Sequence, residues 1–389
     1  VGIIAMKITG LDIHPVTVRR QHRTVVGQGS GTLIPGADAA PTRSHFAALE
    51  LRTSEGITGL GEWSDVAAPG RLVSSTFRTK GYGPPEDLDI PALKARLEHF
   101  LVGRTPFDIE AILSGLDLDR STLCAVDSAL YDLVGKTLNT PVYNLIGGRA
   151  RDRVKVSWVV YIRTTDLIGD EMRAMVGRGF TAFKLKVGSD IRHDEACVRI
   201  MRETAGPNAE IKLDASGAWT AEEAIRNIQR LTPYDLQGVE SPVKGRGAAD
   251  TARVREAVDV KIIEHVWDRW DYILDLIQHK SVDIINLFPE GCGGIHRCRK
   301  VLALAEAAGI DALLGSTVEL GVGTAAQVHL GVSSPQVCYP SDLIGPAMYT
   351  EDIITQPFDY VEGHLASPEG PGLGVELDRD QLERLRTRT

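Results

Sequence analysis

Two lysines one residue apart interrupt an apolar run, Phe183-Lys184-Leu185-Lys186-Val187-Gly188. In a strand the side chains alternate, so Lys184 and Lys186 share one face while Phe183, Leu185 and Val187 cover the other. Two neighbouring ammonium groups repel and burial penalises their charge, so both effects lower the pKa of either lysine. A lysine tuned in this way serves as a general base near neutral pH. The plainer reading is a pair of solvated surface lysines. Downstream, an acid ends each of three successive apolar runs: Ile211-Lys-Leu-Asp214, Gly238-Val-Glu240 and Lys261-Ile-Ile-Glu264. Three uncompensated carboxylates on neighbouring strands repel, and a divalent cation resolves the conflict. Oxygen-only ligands that leave room for water and substrate favour Mg²⁺, or Mn²⁺. The competing reading pairs each acid with a nearby base or uses it as a helix cap.

The elements that would position these groups are legible from Val154 onward. Short apolar runs alternate with amphipathic segments of helical length, the pattern of βα repeats. Strands are expected near 154–161, 182–187, 210–214, 237–241, 260–264, 283–288, 311–316 and 335–339. Helices are expected near 165–179, 191–204, 220–232, 247–258, 268–280, 293–308 and 321–332. So many regularly spaced strands close naturally as a parallel barrel, whose chemistry sits at the carboxyl ends of its strands. A doubly wound sheet is the rival, but no G-x-G-x-x-G follows an early strand. Upstream, residues 7–18 alternate like a strand, and residues 46–62 read as a hairpin turning at Ser54-Glu55-Gly56. Residues 91–148 are helical in pattern. Residues 19–44 and 65–86 are long Gly- and Pro-containing loops of the kind that serve as lids. The expected division is an α+β module over 1–125, a barrel over 126–345 and a segment 346–389 that returns to the first module.

The motifs Lys184-x-Lys186, Leu213-Asp214-Ala215-Ser216, Val239-Glu240-Ser241-Pro242 and Ile263-Glu264-His265 resemble the enolase superfamily, in particular the mandelate racemase and muconate lactonizing enzyme family. Gly315-Ser-Thr-Val-Glu319-Leu-Gly-Val-Gly-Thr324 is similar to the glutamate segment after that family's seventh strand. The resemblance implies a modified TIM barrel, (β/α)7β, capped by an α+β domain built from the N-terminal part and the C-terminal tail. It implies Lys186 as the base with Lys184 assisting, Asp214, Glu240 and Glu264 as metal ligands, and Glu319 at the rim near the substrate. A small carboxylic acid would be the substrate and an even-numbered homo-oligomer the assembly. Loops 19–44 and 65–86 would select the substrate and exclude water. Removing a proton α to a carboxylate creates a doubly charged enediolate, which Mg²⁺ and the Lys184 charge would stabilise.

The pattern breaks at strand six. Muconate cycloisomerases and dipeptide epimerases carry a second lysine there; counting back from Gly293-Gly294, its place falls on Phe288. The mandelate-type His-Asp dyad is missing too, with Phe288 and Gly315-Ser316 in its places. One-base chemistry follows: a lyase (acid dehydratase) or a cycloisomerase, with His265, Lys184 or Glu319 as the acid. His265 directly follows Glu264, so a regular strand would turn it outward into a structural role. The alternatives are a racemase or epimerase with a non-lysine second base, and a carboxylate-binding barrel that has lost turnover. Lys212 shares a face with Asp214 and reads as a deeper charge partner. Asp190, Asp194 and Glu195 read as a helix start. Arg19, Arg20, His22 and Arg23 read as solvated charges, with binding of a second substrate acid as the other option.

Composition narrows the class. The 389 residues carry 43 basic and 52 acidic side chains, a net charge of -9, which lacks the basic footprint of a nucleic-acid binder. No run reaches the ~20 apolar residues of a membrane span, and residues 1–5 carry no secretory signal. Five scattered cysteines without a CxxC read as reduced thiols, and the expected location is cytoplasmic.

Overall fold

The computed structural model describes residues 6–22, 42–68, 71–74, 89–266 and 269–387. Four antiparallel strands begin the chain: β1 (Ile8–Arg19), β2 (Arg43–Thr53), β3 (Thr58–Ala68) and β4 (Arg71–Ser74), in that spatial order. The β2–β3 hairpin turns at Ser54–Gly56, where Gly56 supplies the positive φ of +75° that a tight turn needs. Helix Ile90–Leu101 follows, started by the Asp89 carboxylate accepting from the Ala92 N–H and burying Leu93, Leu97 and Leu101.

Helix Arg120–Thr137 runs unbroken through residue 125 and is almost wholly buried. It packs on the cap sheet so closely that a Cβ on Gly61 of β3 would collide with the Ala125 carbonyl. Two of its acids sew the cap to the rest of the molecule. Asp132 pairs with Lys136 at 2.7 Å and accepts from the N–H groups of Leu60 and Leu373. Asp127 accepts from the N–H groups of Ile295 and His296, opening helix Ile295–Ala307 of the barrel. A carboxylate at that position satisfies helix donors that otherwise have no partner.

The barrel strands are β6 (Ser157–Val160), β7 (Ala182–Lys186), β8 (Glu210–Asp214), β9 (Leu236–Glu240), β10 (Ile262–His265), β11 (Ile284–Leu287) and β12 (Asp311–Leu314). All pair in parallel in sequence order, with helices between them near the expected positions. Two expectations need correction. The run 154–161 is split: β5 (Arg153–Lys155) leaves the barrel and pairs with β13 (His364–Ala366). The eighth strand expected at 335–339 is not a strand. Residues 336–342 close the ring instead by isolated bridges, Ala312–Val337 and Val156–Ser341. Ala312 N–H donates to Gln336 O at 2.8 Å on one side and Ser157 N–H to Ser341 O at 2.8 Å on the other. Pro335 and Pro340 bracket this segment, and each lacks the N–H a regular ladder requires.

The tail returns to the cap. Arg386 bridges Val16, Thr387 N–H donates to Pro15 O, and the hydroxyls of Thr17 and Thr387 meet at 2.8 Å. Arg379 grips the Glu50 carboxylate with two hydrogen bonds, 2.7 and 2.5 Å, and His14 adds a third at 2.6 Å. Burial alone would raise the Glu50 pKa, but His14 and Arg379 overcome it and bring the carboxyl down to about 2. Its stabilisation is therefore complete above the ordinary value of 4.5 and is lost as pH falls through about 2. Because Arg379 is largely exposed, Glu50→Gln is expected to cost only about 1–2 kcal/mol at neutral pH. Urea denaturation should show that difference shrinking in acid.

Candidate active site

On β7, Phe183 and Leu185 are buried outward against the helices, and Lys184 and Lys186 face the barrel interior. Strand register sets what they meet. Lys186 pairs across to Asp214 and Asp214 to Glu240, so the ends of three adjacent strands lie at one level. Glu240 pairs with Ile263, which puts Glu264 one residue nearer the rim.

Both lysine amines reach the same atom, Asp214 Oδ2: Lys186 at 2.5 Å and Lys184 at 3.1 Å. Lys184 also reaches Glu240 Oε2 at 2.7 Å and Asp342 Oδ2 at 2.8 Å. Lys186 is the more accessible of the pair, its side chain 16% exposed against 5% for Lys184. The expectation of a lowered pKa is overturned for Lys184. Burial does work against its charge, but Asp214, Asp342 and Glu240 outweigh burial and hold it well above the ordinary lysine value. The same contacts pull Asp214 well below the ordinary carboxylate value against the effect of burial. Lys212 lies deeper, as expected, but its partner is Asp342, at 2.9 Å. Burial lowers the Lys212 pKa.

The three acids singled out as ligands do not converge. Among the described residues, no three His, Cys, Asp or Glu side chains group so as to hold a metal ion. Asp214 and Glu240 share the Lys184 amine, whereas Glu264 turns to Ser241 Oγ at 2.6 Å and Arg246 Nε at 3.1 Å. The donor chemistry nevertheless fits a hard divalent cation. The set is all carboxylate, and the fully buried Glu264 Oε2 has no hydrogen-bond partner among the described residues. Burial pushes Glu264 up to about 7 against the opposing charge of Arg246. Ser216 donates to Asp214 Oδ1 from both its N–H and its hydroxyl, at 2.8 and 2.9 Å.

His265 does not turn outward as expected: it pairs with Asn286, whose side chain reaches Glu240, so the register places it on the interior face and Glu264 on the other. Ser241 Oγ lies 2.6 Å from Glu264 Oε1 and 3.2 Å from His265 Nδ1, and so links the two side chains. Glu319 is buried and folds onto its own turn, accepting from Ser316 Oγ, from Thr317 N–H at 2.9 Å and from Thr317 Oγ1 at 3.0 Å. Phe288 is buried on the same face as Asn286, two residues before it on the chain. A Cβ on Gly315 would lie 2.9 Å from the Phe288 ring and collide with Asn286 Oδ1, so the glycine leaves room for both. Asp190 caps helix Ile191–Ala205, and Asp194 accepts from Gly188 N–H and Ser189 Oγ, as a helix start requires.

Two cap residues are less solvated than expected. Arg20 Nε donates to Ser44 Oγ at 2.6 Å, and the His22 ring packs edge-on against Trp158 with centroids 5.4 Å apart. Burial, then the charges of Arg163 and Arg178, lower the His22 pKa. Arg23, most of the first expected lid loop and residues 69–70 and 75–86 of the second lie outside the described residues.

Asp342, Asn286 and Arg246 were not singled out in the sequence. Asp342 follows the irregular eighth segment, and the strand-end rule would have found it there. Asn286 Nδ2 donates to Glu240 Oε1 at 3.0 Å; only its alternation with Phe288 points to it. Arg246 sits in a loop and has no signal.

Known proteins resemble this chain in sequence and in fold. Residues 168–381 match the family model of the enolase C-terminal domain-like fold. Residues 26–147 match that of the mandelate racemase / muconate lactonizing enzyme N-terminal domain. The N-succinyl-L-Arg/Lys racemase of Bacillus cereus is 28% identical over 98% of both chains. Its crystal structure superposes with a TM-score of 0.84 at 26% identity, again over 98% of each chain. Muconate cycloisomerase 1-2 of Acinetobacter lwoffii is 31% identical over 88% of both chains. The dipeptide epimerase of Enterococcus faecalis, solved with Mg and the dipeptide L-Leu-L-Tyr, gives a TM-score of 0.81 at 26% identity, covering 95% of this chain and 99% of that one. With both family models matched and the relatives covered over most of their length, the chain belongs to the mandelate racemase / muconate lactonizing enzyme family of the enolase superfamily and is an enzyme of that family.

Proposed function

We propose that this enzyme removes the proton α to the carboxylate of a small carboxylic acid with Lys186 as its base, and completes a one-base elimination or cycloisomerisation. The observation that carries this reading is Phe288: a phenyl ring on the interior face where a second lysine would stand. Phenylalanine cannot move a proton, so exchange from the opposite side of the substrate lacks a partner. Lys186 is the outer, more accessible amine and takes the proton. Lys184, fixed by three carboxylates, stays charged and faces developing negative charge. Phe288 walls one side of the site and keeps water from it.

Asp214, Glu240 and Glu264 would hold Mg²⁺, with Mn²⁺ as substitute. Bound there, the cation supplies Lewis-acid polarisation of the substrate carboxylate. The unpartnered Oε2 of Glu264 supports this assignment. Asn286 orients Glu240, so Asn286→Ala is expected to weaken Mg²⁺ binding about 10-fold. Calorimetric titration of the protein with Mg²⁺ checks this without a substrate.

The test of the reaction is a library of sugar acids, acylated amino acids, dipeptides and muconate-like diacids, incubated with Mg²⁺ in D₂O. Dehydration or lactonisation, with exchange of the α-hydrogen but no inversion, is the expected result. A second reading, racemisation or epimerisation, is favoured by the names of two relatives and requires a non-lysine second base. Deuterium incorporated with inversion at the α-carbon would establish it and overturn the one-base reading.

A further inference from the structure

Between the cap and the barrel mouth lies a second group of buried acids. Glu290, on the short helix Pro289–Cys292 after β11, is 3% exposed, and Glu319, after β12, is 2% exposed. Thr317 stands between them. Its Oγ1 lies 2.5 Å from Glu290 Oε2 and 3.0 Å from Glu319 Oε1. A threonine hydroxyl has one proton to donate, yet here it meets two carboxyl oxygens. One of the two carboxyls must therefore bring a proton of its own.

The surroundings decide which. Burial raises the Glu319 pKa too, but Glu319 receives hydrogen bonds from Ser316 Oγ and from Thr317 N–H, donors that favour its ionised form and that Glu290 lacks. Glu290 has two neutral hydroxyls beside it, Thr317 at its Oε2 and the more weakly placed Ser121, and no hydrogen bond of ordinary geometry reaches its Oε1 among the described residues. The charges that weigh most on Glu290 are those of Glu319 and of Glu62 on β3, both acidic, and Cys124 of helix Arg120–Thr137 lies near it. Arg120 reaches the same short helix, at the Gly291 carbonyl. An ionised carboxylate so buried and so poorly bonded would be very costly. Burial first, and then the Glu319 charge, raise the Glu290 pKa well above the ordinary carboxylate value. The turn carrying Glu319 is held in an unusual shape as well: Val318, a β-branched residue, has φ +62°, with its N–H on Ser316 Oγ and its carbonyl on the Tyr349 hydroxyl.

We propose that Glu290 is a neutral, protonated positioning residue that donates to Thr317 Oγ1, so that the Thr317 hydroxyl is directed at Glu319 and fixes its carboxylate at the barrel mouth. This deepens the proposed reaction by specifying how its rim glutamate is held, and only its kinetic consequences rest on that reading. Ionising Glu290 would turn it from donor to acceptor, pull the Thr317 proton away from Glu319 and release that side chain.

The protonation claim is tested on the folded protein without any substrate. The infrared spectrum of wild type minus that of Glu290→Gln, at neutral pH, should show one carboxylic-acid C=O band; its absence would overturn the proposal. Glutamine matches the neutral acid in shape and can donate to Thr317, so Glu290→Gln should fold normally. With a turned-over substrate, Glu290→Gln and Thr317→Ser should stay within about 3-fold of wild type, while Glu290→Ala and Thr317→Val lower kcat roughly 10–100-fold with little change in KM. The alkaline limb of the wild-type pH profile should shift in Glu290→Gln and persist in Thr317→Ser. Glu290→Gln as damaging as Glu290→Ala would overturn the proposal, since the charge would then matter and not the donor. An infrared band accompanied by wild-type kinetics in every variant would overturn the positioning role. A band with no substrate found leaves the protonation established and counts against the proposed reaction alone.

Discussion

Lys186→Ala is expected to abolish exchange of the substrate α-hydrogen, with turnover lowered by about 10²–10⁴-fold or more, the contribution of a positioned general base. The residue lies at the mouth with one partner, Asp214 Oδ2 at 2.5 Å, so its removal leaves most of the buried charge network in place. The variant should fold with near-native stability and bind Mg²⁺ and substrate. Proton NMR in D₂O reads the exchange directly. Undiminished exchange in the variant would remove Lys186 from the chemistry. Lys184 makes a poor comparison, because three carboxylates depend on it and its loss would disturb the fold as well as the reaction.

Asp342→Asn should produce the largest loss of stability, about 3–5 kcal/mol, the usual result of stripping a buried charge of its partner. Asp342 neutralises two ammonium groups at once, Lys184 at 2.8 Å and Lys212 at 2.9 Å, and all three side chains are 5% exposed or less. Lys212 would keep only the Pro340 carbonyl, at 2.5 Å. Equilibrium urea unfolding measures the loss. Adding Lys212→Met should recover part of it, because the second substitution removes the charge that the first has stranded. Two losses that simply add would show that Asp342 and Lys212 are not coupled.

The barrel was legible because its signals are local. A buried parallel strand is a short apolar run, and a polar residue at its end stands out, which is how Lys184, Lys186, Asp214, Glu240 and Glu264 could be read. Two kinds of feature were not legible. The eighth segment lost its ladder to Pro335 and Pro340, and with the strand went the signal for Asp342. The Lys184 pKa went the wrong way because Asp214, Asp342 and Glu240 together outweigh burial, and the last two lie 158 and 56 residues away in the chain. Likewise the Glu290–Thr317–Glu319 contact joins two loops and leaves no periodic trace. His265 was expected to turn outward because Glu264 was taken to face the interior; the register that reverses this, like the contact with Ser241, needed coordinates.

The pairing of Thr17 with Thr387 spans 370 residues of chain, so it ranks among the last contacts that synthesis from the amino end can complete. Until Arg386 and Thr387 emerge, β1 lacks its partners there and presents an edge open to pairing with a neighbouring nascent chain. Biogenesis of this enzyme is thus expected to pass through a finished barrel wearing an unfinished cap. Ribosome-bound chains that stop just before Arg386 should be the aggregation-prone species.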